Sequence, residues 1–412
     1  MQLKNNKYVL SGDVNPLELV EKYGSPLYVY DAQTIATQYK RLESAFATVP
    51  KLRINYACKA NTNLNILQLM HSFGAGLDCV SIQEVMLGLR AGVAAADIIF
   101  TPSGVSISEY REAVALGVRI NIDSISILEQ FGQAFPNIPV CIRINPHIMA
   151  GGHRKISVGH IDSKFGISIH QMPHVERVVE ATGLRIEGIH MHSGSDILDV
   201  RVFLEGAEIL LNTAKKLPNL DYIDFGSGFK VPYKTGDIET DIEQLGTDLS
   251  KRFNEFCAEY GRQLTLMFEP GKFLVSASGY FFVNVNVIKQ TLSSVFIGVD
   301  SGLNHLIRPM FYDSYHHIVN VTNPDEKTRI YNVVGYICET DTFAVNRIIP
   351  EALEGDVLCF YNAGAYCFSM ASNYNSRFRP AEVIIHNGTD YLIRERENLD
   401  DLTRHQIVHN LF

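Results

Sequence analysis

Lys59 lies in the stretch Tyr56-Ala57-Cys58-Lys59-Ala60-Asn61, at the end of an apolar run that begins at Leu52. A buried lysine loses its charge easily, and the neutral amine can attack a carbonyl to form an imine. By itself Lys59 also reads as a strand-end lysine reaching for solvent. Other residues bear on the choice. In Gly226-Ser227-Gly228 a glycine-rich turn can close backbone N–H groups on a phosphate, and Ser195 can add a hydroxyl. Glu269 opens Glu269-Pro270-Gly271-Lys272. A carboxylate there can face a pyridine nitrogen, keep it protonated and make the ring an electron sink. His192 can stack on such a ring. Each group has a plainer reading: an ordinary turn, a Glu269–Arg143 pair that is structural, a hydrogen-bonded histidine.

These residues need elements to bring them together. Apolar strand candidates end at Ala57, Ser81, Thr101, Asp123, Asn145, His192, Phe225 and Glu269. Amphipathic helical stretches separate most of them, as at 82–91, 107–116 and 200–216. Near-continuous apolar strands alternating with helices predict a (β/α)₈ TIM barrel of the α/β class. Barrel active sites lie at the C-terminal strand ends. Lys59 follows the first strand there, and Asp78 and Ser81 belong to the second. Arg143 and Asn145 end the fifth, and the segment from His190 to Ser195 ends the sixth. Asp224 to Gly228 end the seventh and Glu269 to Lys272 the eighth. An imine-forming lysine, a phosphate cradle and an acid for a ring nitrogen together make a pyridoxal 5'-phosphate site. His190 and His192, one residue apart, also suit zinc. Metal-dependent barrel hydrolases carry such a pair on the first strand, where this chain has Lys59, so no metal is assigned.

The chain has 412 residues and is expected to form two domains. Residues 32–278 form the barrel. The long segment 146–166, rich in Gly and His, reads as a functional loop at its mouth. From 279 the texture changes to strands at 280–290, 294–300, 329–337, 357–361 and 381–385. Asn387-Gly388 signals a hairpin between Ile385 and Tyr391. This is a C-terminal all-β domain, sandwich-like or barrel-like, ending in a short helix over 399–412. Segment 1–31, with a helix at 17–23 and a strand at 27–30, is assigned to pack on it. Asp31 caps the helix that follows.

A net charge of −9 argues against nucleic acid and anionic membranes as partners. Seven scattered cysteines without C-x-x-C spacing suggest reduced thiols and a cytoplasmic protein. The first residues lack the apolar core of a signal peptide, and no apolar run is long enough to span a bilayer.

The motifs at Tyr56–Asn61, His192-x-x-Ser195, Gly226-Ser227-Gly228-Phe229 and Glu269-Pro270-Gly271 resemble the fold-type III pyridoxal phosphate-dependent decarboxylases. The second half narrows the match. Leu306-Ile307-Arg308-Pro309, the run from Tyr312 to His317, Cys338-Glu339-Thr340, Gly364-Ala365-Tyr366 and the run from Ser372 to Arg377 are similar to the diaminopimelate decarboxylase family. The resemblance covers almost the whole chain. It implies that Lys59 carries the cofactor and that His192 stacks on its ring. Ser195 and Gly226, Ser227 and Gly228 would hold the phosphate, and Glu269 would face the ring nitrogen. Asp78, Arg143, Gly271 and Tyr366 would complete the cofactor set. Arg308, Tyr312, Glu339, Tyr366 and Lys272 would bind substrate. Cys338 would donate the proton after CO₂ leaves, reaching the other subunit's site in a homodimer. Two residues depart from the family pattern. Lys272 stands where arginine is usual, which loses a bidentate fork. Ser227 stands where glycine is usual, which is acceptable only if that position avoids φ > 0.

The resemblance implies decarboxylation of meso-2,6-diaminopimelate to L-lysine, the last step of lysine biosynthesis. A related decarboxylase acting on ornithine, arginine or carboxynorspermidine is the nearest alternative. A racemase and a non-catalytic cofactor carrier are further rivals. CO₂ release separates the racemase, and the presence of Cys338 and Glu339 weighs against a carrier.

Overall fold

Eight short strands carry the barrel: Leu52–Ala57, Gly76–Cys79, Ile98–Phe100, Arg119–Ile122, Val140–Asn145, Ile186–His190, Tyr222–Asp224 and Thr265–Phe268. Each pairs in parallel with the next, and the eighth closes on the first with Met267 opposite Arg53. The computed structural model describes residues 1–148, 163–192 and 194–412. Most of the loop expected over 146–166 therefore lies outside the described residues.

The chain divides into two units. One comprises Ala36–Pro232 and Asp237–Leu274, the other Met1–Ile35, Tyr233–Gly236 and Val275–Phe412. The barrel is the first. Its strands are buried over most of their length, several of them from end to end, which is why they read as apolar runs rather than as alternation. Side-chain hydroxyls and amides start its helices. Ser81 accepts from Glu84 N before Ile82–Arg90, and Asn63 accepts from Asn65 N before Leu64–Ser72. Ser81 is thus engaged as a helix cap. Below the mouth, Ile99, Cys141, Tyr222 and Met267 pack together. Gly188 has no room for a side chain, because a Cβ there would lie 2.4 Å from the Tyr222 ring.

In the second unit the long strand Gly279–Gln290 pairs along its first half with Leu27–Asp31 and Val357–Phe360, and along its second half with Val295–Val299. Leu27–Asp31 lies inside this sheet, between Gly279–Gln290 and Ala381–His386. The Asn387-Gly388 turn joins Ala381–His386 to Thr389–Arg394. Leu10, Leu27, Val29, Phe282, Val383 and Ile385 are among the residues of the core. Asp31 accepts from Gln33 N at 3.0 Å and caps the helix Ala32–Ala45.

Three expectations need correction. Residues Tyr233–Gly236 cluster with the β unit and not with the barrel. The Tyr233 hydroxyl meets Ser276 Oγ at 2.8 Å, and its ring packs edge-on against His316. Second, the edge strand Thr342–Pro350 is absent from the sequence reading. Its apolar residues do not track burial, since Val345 and Ile348 are exposed. Third, the C-terminal helix covers only Leu399–Thr403. Asn398 and Asp401 form a capping box that starts it. Beyond Arg404 the residues Ile407, Val408 and Leu411 are exposed, and so short a helix without a packed face does not persist.

Candidate active site

Barrel strand one stops at Ala57, and a single tight turn, Cys58–Ala60, follows. The turn carries Lys59 past the strand end, where its Nζ donates to Asp78 Oδ2 at 3.0 Å. Asp78 is opposite Ala57 in the register of strands one and two. The lysine is not buried as the sequence suggests. Its side chain is 42% exposed, and that of Asp78 is fully buried. Lys59 is therefore held by charge and not by desolvation. Burial and then the charge of Glu269 raise the Asp78 carboxyl, against the pull of Lys59. The end of strand eight lies against this turn. Ala57 N donates to Pro270 O at 3.2 Å, and a Cβ on Gly271 would lie 3.1 Å from Ala60 Cβ.

Arg143, His190 and Asp224 stand side by side in register across strands five, six and seven. All three are buried. Arg143 lies over the Phe165 ring at 5.0 Å. Burial lowers its pKa, and Glu269, Asp123, Asp78 and Asp224 oppose that shift. Glu269 follows strand eight, with its N–H donating to Gly226 O at 2.7 Å. Its Oε2 lies 3.1 Å from His190 Nε2, so its near partner is His190 and not the Arg143 considered from sequence. Burial alone would raise Glu269, but His190 together with Lys59 and His192 brings it down to about 2. Asp224 moves the other way. Burial and then the Glu269 charge raise it well above the usual carboxylate range. At neutral pH Glu269 carries the charge of this pair.

The glycine-rich turn is built as a cradle. Gly226 and Gly228 have φ of 62° and 109°, in the region that favours glycine. Ser227 between them does not take a positive φ, so its side chain is accommodated. Gly226 N donates to Asp224 Oδ1 at 2.8 Å. Ser227 N donates to His192 Nδ1 at 3.3 Å, which leaves the imidazole hydrogen on Nε2. Burial, with Arg143 and Lys59 nearby, holds His192 well below its ordinary pKa, so the ring is neutral. Ser195 is half-buried, one residue beyond Gly194. A Cβ on Gly228 would lie 2.1 Å from Gly194 O. Gly228→Ala is thus expected to destabilise the protein by about 1–3 kcal/mol and to weaken cofactor binding. A thermal melt and a cofactor titration check this, and native values for both would show the cradle to be dispensable.

His190 and His192 do not share partners as a zinc pair would. The group that converges is His190, Asp224 and Glu269, with ligand-type atoms within 4.8 Å of one another. Lys272, assigned to substrate from sequence, is paired with Asp196 within the barrel unit.

The β unit holds its own cluster. Arg308 is buried at the start of a one-turn helix, Arg308–Tyr312. Its guanidinium lies 5.7, 5.8 and 5.9 Å from the ring centres of Tyr233, Tyr312 and Tyr366. Its Nη2 donates to Ser314 Oγ at 3.4 Å. Tyr366 has φ 58°, an uncommon backbone state for an aromatic residue and one that often marks a functional position. Cys338 is exposed, whereas the other six cysteines are buried and free. Asn375 Nδ2 lies 3.6 Å from its Sγ, and Tyr374 donates its hydroxyl hydrogen to Glu339. Tyr233, Asn121 and Asp196 escape the sequence reading. No local motif marks them, and only the folded chain brings them to Arg308, His190 and Lys272.

Residues 32–276 match the family described as pyridoxal-dependent decarboxylase, pyridoxal binding domain. A diaminopimelate decarboxylase of Methanothermobacter thermautotrophicus is 39% identical over 99% of this chain and 97% of its own. The chain belongs to the diaminopimelate decarboxylase family. Two solved structures extend the likeness. The diaminopimelate decarboxylase of Helicobacter pylori complexed with L-lysine is 32% identical, with a TM-score of 0.87 over 95% of this chain and 98% of that one. The diaminopimelate decarboxylase of M. jannaschii in co-complex with L-lysine is 29% identical, with a TM-score of 0.89 over 99% of this chain and 98% of that one. As in this family, the cofactor is pyridoxal 5'-phosphate. The barrel mouth fits it on two counts. The cradle at Gly226 and Gly228 excludes any side chain, and Glu269 Oε1 is buried without a hydrogen-bond donor among the described residues.

Proposed function

We infer that this chain decarboxylates meso-2,6-diaminopimelate to L-lysine and CO₂, the last step of lysine biosynthesis. One observation carries the reading. The barrel mouth joins a lysine held by Asp78, a buried ionised Glu269 and a cradle of two positive-φ glycines. When bound, pyridoxal 5'-phosphate supplies a protonated ring that takes up the electron pair released as the C–CO₂ bond breaks.

The residues divide the remaining work. Lys59 would hold the cofactor covalently. Gly226, Ser227 and Gly228 would shape the turn that receives its phosphate, the Gly226 and Ser227 N–H groups being held by Asp224 and His192, and Ser195 would add a hydroxyl. Glu269 would offer its ionised carboxylate to the ring nitrogen, and neutral His192 would stack on the ring. Asp78, Arg143 and Gly271 are the further barrel residues proposed to hold the cofactor. Arg308 and Tyr312 take the distal carboxylate, and Glu339 takes the distal ammonium. Lys272 is tied to Asp196, so Arg308 is the residue proposed for the carboxylate. Cys338 donates a proton to the carbon that loses CO₂, since it is the exposed thiol among the cysteines. No helix of the described residues is long and apolar enough to cross a membrane. Seven free thiols support a reducing, cytoplasmic setting.

Purified protein given diaminopimelate should release CO₂ and L-lysine in equal amounts. Conversion of one stereoisomer into another without CO₂ would favour a racemase instead. We further propose a homodimer whose sites are shared, with Cys338 serving the opposite subunit. Mixing Lys59→Ala and Cys338→Ala proteins is then expected to restore part of the activity, because one hybrid site regains both groups. If subunits exchange and no activity returns, each site is built from one chain.

A further inference from the structure

His190 has no part in the roles given so far, yet it is among the most buried polar groups of the barrel. It sits at the end of strand six, between Arg143 of strand five and Asp224 of strand seven in register. Its two nitrogens face different neighbours. Nδ1 lies 2.7 Å from the Asn121 side-chain amide, and Nε2 lies 3.1 Å from Glu269 Oε2. The Asn121 amide nitrogen can only donate, so Nδ1 accepts and the ring hydrogen sits on Nε2, pointed at the carboxylate. The other oxygen of Glu269, Oε1, has no donor among the described residues. Oε2 thus has the imidazole beside it, while Oε1 has no hydrogen-bond partner among the described residues.

We propose that His190 is a positioning residue for Glu269, and that Asn121 fixes the His190 tautomer which makes this work. The proposal rests on the reading of Glu269 as partner of the cofactor's ring nitrogen, and it adds how that carboxylate is aimed. A buried carboxylate able to rotate, or able to take up a proton, would lose its hold on a protonated ring nitrogen. His190 opposes both by holding its Nε2 side 3.1 Å from Oε2. Asn121 prevents the other tautomer, in which a bare nitrogen would face the carboxylate. A packing histidine would need neither the amide on one side nor the acid on the other.

The test uses full-length protein and four variants: His190→Phe, His190→Gln, Asn121→Ala and Glu269→Gln. Three quantities are read: the dissociation constant of pyridoxal 5'-phosphate, titrated into cofactor-stripped protein, then kcat, then KM for diaminopimelate. His190→Phe keeps a ring but no donor. It is expected to weaken cofactor binding by about 10- to 100-fold and to lower kcat with little change in KM. His190→Gln retains an N–H donor and should recover a large part of both losses. Asn121→Ala, which leaves the tautomer free, should fall between the two. If His190→Phe does not fold, the comparison of His190→Gln with Asn121→Ala decides, because a purely structural role predicts no cofactor-affinity change in a folded Asn121→Ala. Native affinity and kcat in folded His190→Phe would overturn the proposal, and so would equal losses in His190→Phe and His190→Gln. Glu269→Gln separates the two levels of argument. If Glu269→Gln is impaired and His190→Phe is not, the positioning role fails alone. If Glu269→Gln binds cofactor and turns over as the native protein does, the reading of Glu269 fails.

Discussion

Replacing Lys59 by alanine is expected to lower kcat/KM for diaminopimelate by roughly a thousand-fold or more, the scale of losing a covalent catalytic group. The fold should survive, because the Lys59 side chain is 42% exposed and its ion pair is with Asp78. Asp78, already raised by burial, can take up a proton when the lysine is gone. Lys59→Arg separates chemistry from charge. Arginine preserves the cation beside Asp78 but stays protonated and cannot form the covalent link. It should therefore be as inactive as alanine while keeping near-native thermal stability. Native holoenzyme should absorb near ~420 nm, as expected for a lysine-bound cofactor. Borohydride should fix the cofactor onto Lys59, as read by peptide mapping. A label on Lys272 or Lys164 would sink the assignment. Neither is placed for it, since Lys272 is paired with Asp196 and Lys164 lies over the Phe165 ring.

The barrel is legible in the sequence because strands buried on both faces leave a simple mark, an apolar run closed by a polar residue. Strand ends were within two residues throughout, as with Phe268 against the predicted Glu269 and His190 against His192. The groups at those ends were legible for the same reason: a polar residue at the mouth interrupts the apolar run. Partnerships were not. That Glu269 meets His190 rather than Arg143 depends on which side chains share a layer, and this follows from register, which no single strand encodes. Lys272 reads as a free cation until Asp196, far away in sequence, is brought beside it. The β unit was harder. Its edge strand Thr342–Pro350 exposes apolar residues, so period-two reasoning has no clean face to find. The C-terminal residues carry a helical spacing that no neighbouring surface rewards.

The two family departures resolve differently. Ser227 is compatible with the cradle because the turn takes its positive φ at the glycines on either side. Lys272 is a change of partner as well as of residue. Its ammonium is paired with Asp196, and the distal substrate carboxylate is therefore assigned to Arg308 under the proposed function.

Arg308→Ala is accordingly expected to raise KM for diaminopimelate strongly while leaving cofactor content normal. The guanidinium is buried and walled by Tyr233, Tyr312 and Tyr366, whose ring faces favour a cation and keep its planar fork in place. A substrate carboxylate bound to that fork is itself withdrawn from water. Removing the arginine leaves the carboxylate buried without a partner, a loss of about 2–5 kcal/mol. Arg308→Lys should recover only part of it, since a point charge cannot reproduce two parallel hydrogen bonds. The same arithmetic applies to the substrate. Lysine and ornithine lack the distal carboxylate, so with the native enzyme they would leave Arg308 unanswered and should be poor substrates by a comparable factor. Steady-state kinetics on the three compounds, for native protein and both variants, test the argument from each side. Ornithine turned over as well as diaminopimelate, or Arg308→Ala with an unchanged kcat/KM, would remove Arg308 from substrate recognition. It would also mark a chain whose substrate differs from that of its relatives.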